Sequence, residues 1–273
     1  MGSAFVDVFM DDNAVSPTLV ESCVQTWPSP ESNTLSFSLV QLTNLNGAGG
    51  QDADEPAEKS EEGADLVKQK AIESQMKPLT DYATSVTFDP KLDEGLYLIG
   101  VGVRKKSIIS VYAVSMYSSA NVIEVLSHFS GAKHQRKGAS SALRTAARAF
   151  GPSTPSTTIV SEMVYSAGAE MIAGAIAESV KSRYDGSPSD INTLESLIIR
   201  GVNAKGGQAS KGTIFRFDCS DSGVSVSVDG TEQGVATFEG MGRAFVDVFM
   251  DDNAVSPTLV DSCVDNWSAV SLM

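Results

Sequence analysis

From residue 86 to residue 228 the sequence runs strands, then helices, then strands again, without the strand–helix alternation that builds a parallel sheet. Val86 and Phe88 alternate ahead of Asp89 and Pro90, residues 96–103 are an apolar run bounded by glycine, and residues 108–117 are rich in β-branched and aromatic side chains. Three such strands joined by short turns predict an antiparallel meander. Helical spacing follows at 122–129 and 139–150, a strand at 157–165, and helices at 167–184 and 190–203. Strands at 213–217 and 224–228 flank the SDSG of Ser220 to Gly223, which supplies hairpin turn chemistry. The order predicts an α+β fold with an antiparallel sheet. At the carboxyl end, Ser256 is placed as an N-cap and Pro257 as the first helical residue, with Leu259, Val260, Cys263, Val264 and Trp267 on one face.

Of the 273 residues, 42% are hydrophobic, enough for a buried core. Lys plus Arg number 20 against 34 for Asp plus Glu, a net charge of −14, which disfavours nucleic acid or an anionic membrane held by bulk charge. No apolar run approaches the roughly 18 to 20 residues of a spanning helix. Cys23, Cys219 and Cys263 contain no C-x-x-C, and His128 and His134 have no second ligand at metal spacing. Neither a metal nor a cofactor is expected.

The chain repeats itself. Residues 1–27, MGSAFVDVFMDDNAVSPTLVESCVQTW, return at 241–267 with changes only at Ser3/Arg243, Glu21/Asp261, Gln25/Asp265 and Thr26/Asn266. Identity that extends to surface positions points to duplication of coding sequence rather than to two helices selected for similar packing. The expectation is that the chain opens inside the tail of an upstream copy of one domain; a functional N-terminal extension is the reading left open beside it. Tandem copies, or a swap of the repeated helices between molecules, follow as possible partners.

Between Trp27 and Tyr82 the composition shifts to Ser, Pro, Asn and Gly, and residues 51–65 carry seven acidic residues against a lone Lys59. Such a stretch buries too little apolar surface to offset its ordering entropy. The expected organisation is a partial repeat over 1–27, an acidic flexible linker over 28–81, closed by a short helix near 64–76, and a domain over 82–273.

The Gly100-Val101-Gly102-Val103-Arg104 run lacks the third glycine and the following helix of a dinucleotide loop, and no Lys follows Gly212 to complete a phosphate loop. There is no G-x-S-x-G. Arg104 ends an apolar strand beside Lys105 and Lys106; such an arginine is either a solvated strand-end charge or a planar fork for a carboxylate. Tyr112 and Tyr117, five apart in one strand, face opposite sides of the sheet, so at most one shares a pocket with Arg104. Met171, Ile172, Ala175, Ile176, Ser179 and Val180 form the expected apolar stripe of the helix that follows.

GLYLIGVGVRKKSIISVYAVSMY at 95–117, SAGAEMIAGAIAESV at 166–180, KGTIFRF at 211–217 and AFVDVFMDDNAVSP at 244–257 together resemble the chalcone isomerase family, in its order. The resemblance covers about 85–267. It implies an open-faced β-sandwich, a curved antiparallel sheet covered by helices, with a ligand cleft between the two. Members of the family that close a flavanone ring, an intramolecular lyase reaction, carry an Arg, a Thr, a Tyr and an Asn. Here the Arg is kept as Arg104, while the other three positions align with Tyr112, Met171 and Glu178. Met171 offers neither donor nor acidic proton, so the resemblance leans away from catalysis, with Tyr112 the one catalytic candidate for a divergent isomerase. Fatty-acid-binding members, which are plastid proteins, use the Arg with a Tyr thirteen residues later, a spacing matched by Arg104 and Tyr117. The resemblance therefore implies a small amphipathic carboxylate bound at Arg104, Tyr117, Tyr112, Met171, Glu178 and Val248, its tail among Ile172, Ile176 and Phe249. A ligand-free structural module in a tandem array is the third reading.

Overall fold

The computed structural model of the chain describes residues 67, 69–93, 95–129, 136–149 and 157–267. All of these lie in one compact unit, within 55–273. The repeat at 1–27 and most of the acidic stretch lie outside the described residues.

A small hairpin opens the unit, β1 (Leu79–Asp81) with β2 (Val86–Phe88). Then come β3 (Lys91–Asp93), β4 (Leu96–Lys106), β5 (Ile109–Ser118), helices α1 (Ala120–Ser127) and α2 (Arg136–Ala147), and β6 (Thr157–Met163). The short β7 (Ala167–Gly168) leads into α3 (Ala169–Lys181) and α4 (Pro188–Asn203), and β8 (Gln208–Ala209) returns to pair with β7. The hairpins β9 (Ile214–Ser220), β10 (Gly223–Val228) and β11 (Thr231–Ala236) precede α5 (Met241–Met250) and α6 (Pro257–Trp267). Seven strands make one antiparallel sheet in the order β11-β10-β9-β6-β5-β4-β3. The α+β expectation is met, and the SDSG turn joins β9 to β10 with Ser220 opposite Gly223.

The two faces of the sheet are covered differently. One carries a small apolar cluster of Phe88, Leu98, Val101, Ala113, Tyr117 and Val160, against which Leu79 and Val86 of the first hairpin pack. The other carries the main core under the helices. Within it, Phe217 of β9 meets Phe245 of α5 with ring centroids 4.6 Å apart, and Phe245 meets Phe249 at 5.9 Å. Such pairs add about 0.5–1.5 kcal/mol each to the burial of their rings. Helix α4 is set by a capping box between Ser187 and Asp190 with Pro188 in its first turn.

Two expectations need correction. Ile72, in helical residues 69–73, is wholly buried in the main core, and β1 pairs with β2 before residue 82. The linker expected over 28–81 therefore stops short of about residue 69; β1 escaped notice because it is three residues long and two of them, Thr80 and Asp81, are polar. The buried face of α3 is Ala169, Ile172, Ala173, Ala177 and Val180, whereas Met171 and Ala175 are exposed. Small alanines let the helix lie close to its neighbours, so they and not the methionine take the core positions. Nearly all of α5, Asp247 included, is buried, with Arg243 its exposed residue. Asp247 is held by Arg144, whose Nε and Nη2 donate at 2.8 and 3.0 Å.

Helix α6 covers an exposed sheet edge. Beyond its pairing with β3 at Leu96 and Tyr97, the outer edge of β4 has no hydrogen-bonded strand neighbour among the described residues. A free edge is a template for aggregation unless its polar groups are satisfied. Polar residues four apart along α6 do this: Thr258 Oγ1 accepts from the Val103 N–H at 3.1 Å, and Ser262 Oγ accepts from the Val101 N–H at 3.0 Å. Asn266 Nδ2 donates to the Ile99 carbonyl at 3.0 Å and Trp267 Nε1 to the Leu98 carbonyl at 3.2 Å. The Ser256 hydroxyl, expected to cap the helix, instead donates to the Val103 carbonyl at 3.0 Å. The approach is so close that a Cβ on Gly102 would stand 2.4 Å from the Leu259 nitrogen, and one on Gly100 2.5 Å from the Cys263 nitrogen. The two glycines that superficially suggest a dinucleotide loop are the bed of a helix.

Candidate functional site

The β4–β5 register decides which residues share the face of Arg104. The strands turn back at Ser107, whose φ of 52° lies in the left-handed region, and a register shift follows between Arg104 and Lys105. As a result Arg104 stands directly opposite Tyr112, and Tyr112 opposite Met163 of β6. Directly opposed residues share a face. This one continues through Gly102 and Gly100, the face that α6 covers.

Arg104 and Tyr112 are both partly buried, with Lys105 exposed beside them at the strand end. Burial pushes the Tyr112 hydroxyl up to about 12, with the positive charge of Arg104 acting in the opposite direction. Among the described residues neither the guanidinium nor this hydroxyl has a hydrogen-bonded partner. A fork of donors and a protonated phenol thus stand side by side, free to donate to one acceptor. A carboxylate, with two oxygens, is the group such a pair suits.

The other proposed ligand-binding residues are not brought to this place. Tyr117, 2% exposed, lies on the opposite face in the small cluster, and its hydroxyl donates to the Asp89 carbonyl at 2.9 Å. The thirteen-residue spacing from Arg104 to Tyr117 is therefore not a shared pocket; the register shift hands that position to Tyr112. Met171 is 45% exposed on the outer side of α3. The Glu178 side chain is 73% exposed and pairs only with Lys181 on its own helix, at 3.6 Å. Val248, Ile172 and Phe249 are buried in the main core, and Ile176 packs at its margin. The space expected as a cleft is filled by side chains. Among the described residues, hollows lie elsewhere, as along α4 at Asn192, Ser196 and Arg200 and between Met76, Leu98 and Trp267. Among the described residues no helix is long and apolar enough to cross a membrane.

No family model matches the chain, and no curated protein sequence does. A crystal structure of a fatty-acid binding protein from Arabidopsis thaliana, AtFAP1, superposes on it with a TM-score of 0.57 at 20% sequence identity, covering 70% of this chain and 98% of that one. The fold is chalcone isomerase-like. Within a chalcone isomerase-like sheet, Arg104 and Tyr112 occupy the end of the β4–β5 hairpin, and the packing of α5 and α6 closes the side opposite the small hairpin.

The buried phenols of this chalcone isomerase-like domain give a prediction with a definite sign. Burial pushes both Tyr112 and Tyr117 up to about 12, whereas an unfolded tyrosine ionises near 10. Above pH 10 the folded chain holds protons that the unfolded chain has released, so stability falls as pH rises from about 10 to about 12 and is unaffected by these groups below that window. Ultraviolet titration of the native protein should show them among the last phenols to ionise, and Tyr112→Phe should remove one late step. An unchanged titration curve in that variant would contradict the burial.

Proposed function

We propose that the protein binds the carboxylate of a fatty acid or similar amphipathic molecule at Arg104 and Tyr112. The observation that carries this reading is the partly buried Arg104 opposite the partly buried Tyr112 in the β4–β5 register, neither side chain hydrogen-bonded among the described residues, at one end of an apolar core. The likeness of fold to a protein whose name records fatty-acid binding supports it. The local cluster of Arg104, Lys105 and Lys106 favours an anion in a chain whose net charge of −14 otherwise repels one.

Native mass spectrometry of the purified chain, followed by extraction under denaturing conditions, tests this directly. Retained fatty acid is expected. Titration with a long-chain fatty acid should show Arg104→Ala weakening binding by about 2 kcal/mol or more, roughly 30-fold, because a desolvated carboxylate loses its charged partner. Tyr112→Phe should weaken it by about 1 kcal/mol, the net worth of one hydrogen bond, and Tyr117→Phe should not weaken it. Equal affinity in wild type and Arg104→Ala overturns the assignment. The filled core favours a second reading, a ligand-free structural module; a chain that retains nothing and binds no fatty acid would establish that one instead.

A further inference from the structure

The β4–β5 hairpin runs on past the strand beside it. On the β6 side its backbone pairing among the described residues ends at Val111, whose carbonyl accepts from the Val164 and Tyr165 N–H groups at 3.0 and 3.1 Å. From there to Ile108 in the turn is three residues of strand, so the tip stands about 10 Å beyond that bond. Two-residue hairpin turns ordinarily carry Asn, Asp or Gly, which accept a positive φ and prefer water. Here Ser107 takes the positive φ, 52°, and the other turn residue is an isoleucine, Ile108, 96% exposed. Ile109, which follows it, is exposed as well. Neither belongs to either core cluster, so the fold draws no packing from their being apolar. Tyr165 and Ile214, also exposed, extend the apolar surface at this end, Tyr165 through its bond to Val111 and Ile214 through its place opposite Glu162 of β6.

Positive charge gathers at the same end. Arg104, Lys105 and Lys106 lie in the hairpin, and no acidic residue occurs from 104 to 118. Exposed Lys211 joins them from the turn before β9, where its N–H donates to the Ser166 hydroxyl at 3.2 Å and the Gly212 N–H donates to the Met163 carbonyl at 2.7 Å. Asp229 reaches this end by accepting from the Ile214 N–H at 2.8 Å, and it is paired with Lys205 at 3.9 Å. Glu162 and Glu170 are the remaining acids of the segments 162–170 and 205–214. Cations therefore predominate here in a chain whose net charge is −14.

We infer that this end of the sheet is a docking surface for an anionic lipid bilayer, with Ile108 and Ile109 entering the interface and Lys105 and Lys211 lying against the headgroups. Amphipathic elements sink about 5–10 Å into the headgroup boundary, the length by which the tip stands out. The acidic remainder of the chain does not prevent this, because screening at physiological ionic strength limits each charge to about 8 Å. A convex tip led by isoleucines offers no groove to a peptide, and two tips meeting about a twofold axis would set the lysines of one against those of the other. The inference does not rest on the carboxylate reading of Arg104 and Tyr112.

Co-sedimentation of the full chain with phosphatidylcholine vesicles containing about one-third phosphatidylserine, and no free fatty acid, tests it. The chain should bind these vesicles and bind pure phosphatidylcholine vesicles about tenfold more weakly. Ile108→Ser should weaken binding to the anionic vesicles about tenfold, whereas Ile108→Leu should leave it unchanged, since what is lost is apolar burial. Lys211→Gln should weaken it about fivefold. Ile108 is so exposed that its substitutions leave the fold intact, which an unchanged melting temperature checks. Absence of binding to the anionic vesicles, equal binding by wild type and Ile108→Ser, or equal binding to both kinds of vesicle overturns the inference. With no fatty acid present, none of these outcomes bears on carboxylate binding at Arg104, so either reading can fail alone.

Discussion

Gly102→Val should lower the melting temperature by roughly 8–16 °C, read by circular dichroism. The added Cβ alone would stand 2.4 Å from the backbone nitrogen of Leu259 and 2.7 Å from the Ser256 hydroxyl, distances that a side-chain rotation cannot relieve because the first is to backbone. Helix α6 must then lift from β4, breaking the hydrogen bonds that Ser256, Thr258, Ser262 and Trp267 make to the strand edge. Buried groups left without partners cost about 1–3 kcal/mol each, so a total near 4 kcal/mol is the expected scale even after partial relaxation. For a domain of this size each kcal/mol moves the midpoint by about 2–4 °C. A midpoint within about 2 °C of wild type would show that α6 is not seated as described.

Phe217→Ala should cost about 3–5 kcal/mol, the range for removing a large buried aromatic. Phe217 is 1% exposed and stands between Phe215 and Phe245, joining the middle of the sheet to the helix at the centre of the core. Its loss opens a cavity that β9, hydrogen-bonded to β6 on one side and β10 on the other, is not free to close. A urea midpoint that falls with an unchanged slope is the expected signature, since the chain loses stability without losing cooperativity. A loss below about 1 kcal/mol would mean the core collapses around the gap, which these paired strands argue against.

Much of the fold was legible because it is written in short-range patterns. The apolar runs at 96–103 and 108–117, the SDSG turn and the spacing of the helices at 167–184 and 190–203 all match elements of the structure. Legibility failed where an element's surroundings, rather than its period, fixed its role. On α3 the apolar count could not choose between Met171 and the alanines, since which side faces inward depends on the neighbours it packs against. The candidate site failed in the same way. Arg104 stood out from its setting, but its partner did not, because one displaced residue in a hairpin exchanges the faces presented to it.

The sequence by itself determined the class of fold, the run of antiparallel strands with helices packed on it, and the presence of an arginine at a strand end. It also recorded that the residues of α5 and α6 recur, nearly unchanged in sequence, at 1–27. Tertiary structure alone decided that Tyr112 and not Tyr117 faces Arg104, that Gly100 and Gly102 serve a helix rather than a nucleotide, and that the space between sheet and helices is filled. The physical reason is common to all three. Periodicity and turn chemistry act over a few residues and are readable in order along the chain, whereas register, close approach and packing are settled between segments as far apart as β4 and α6.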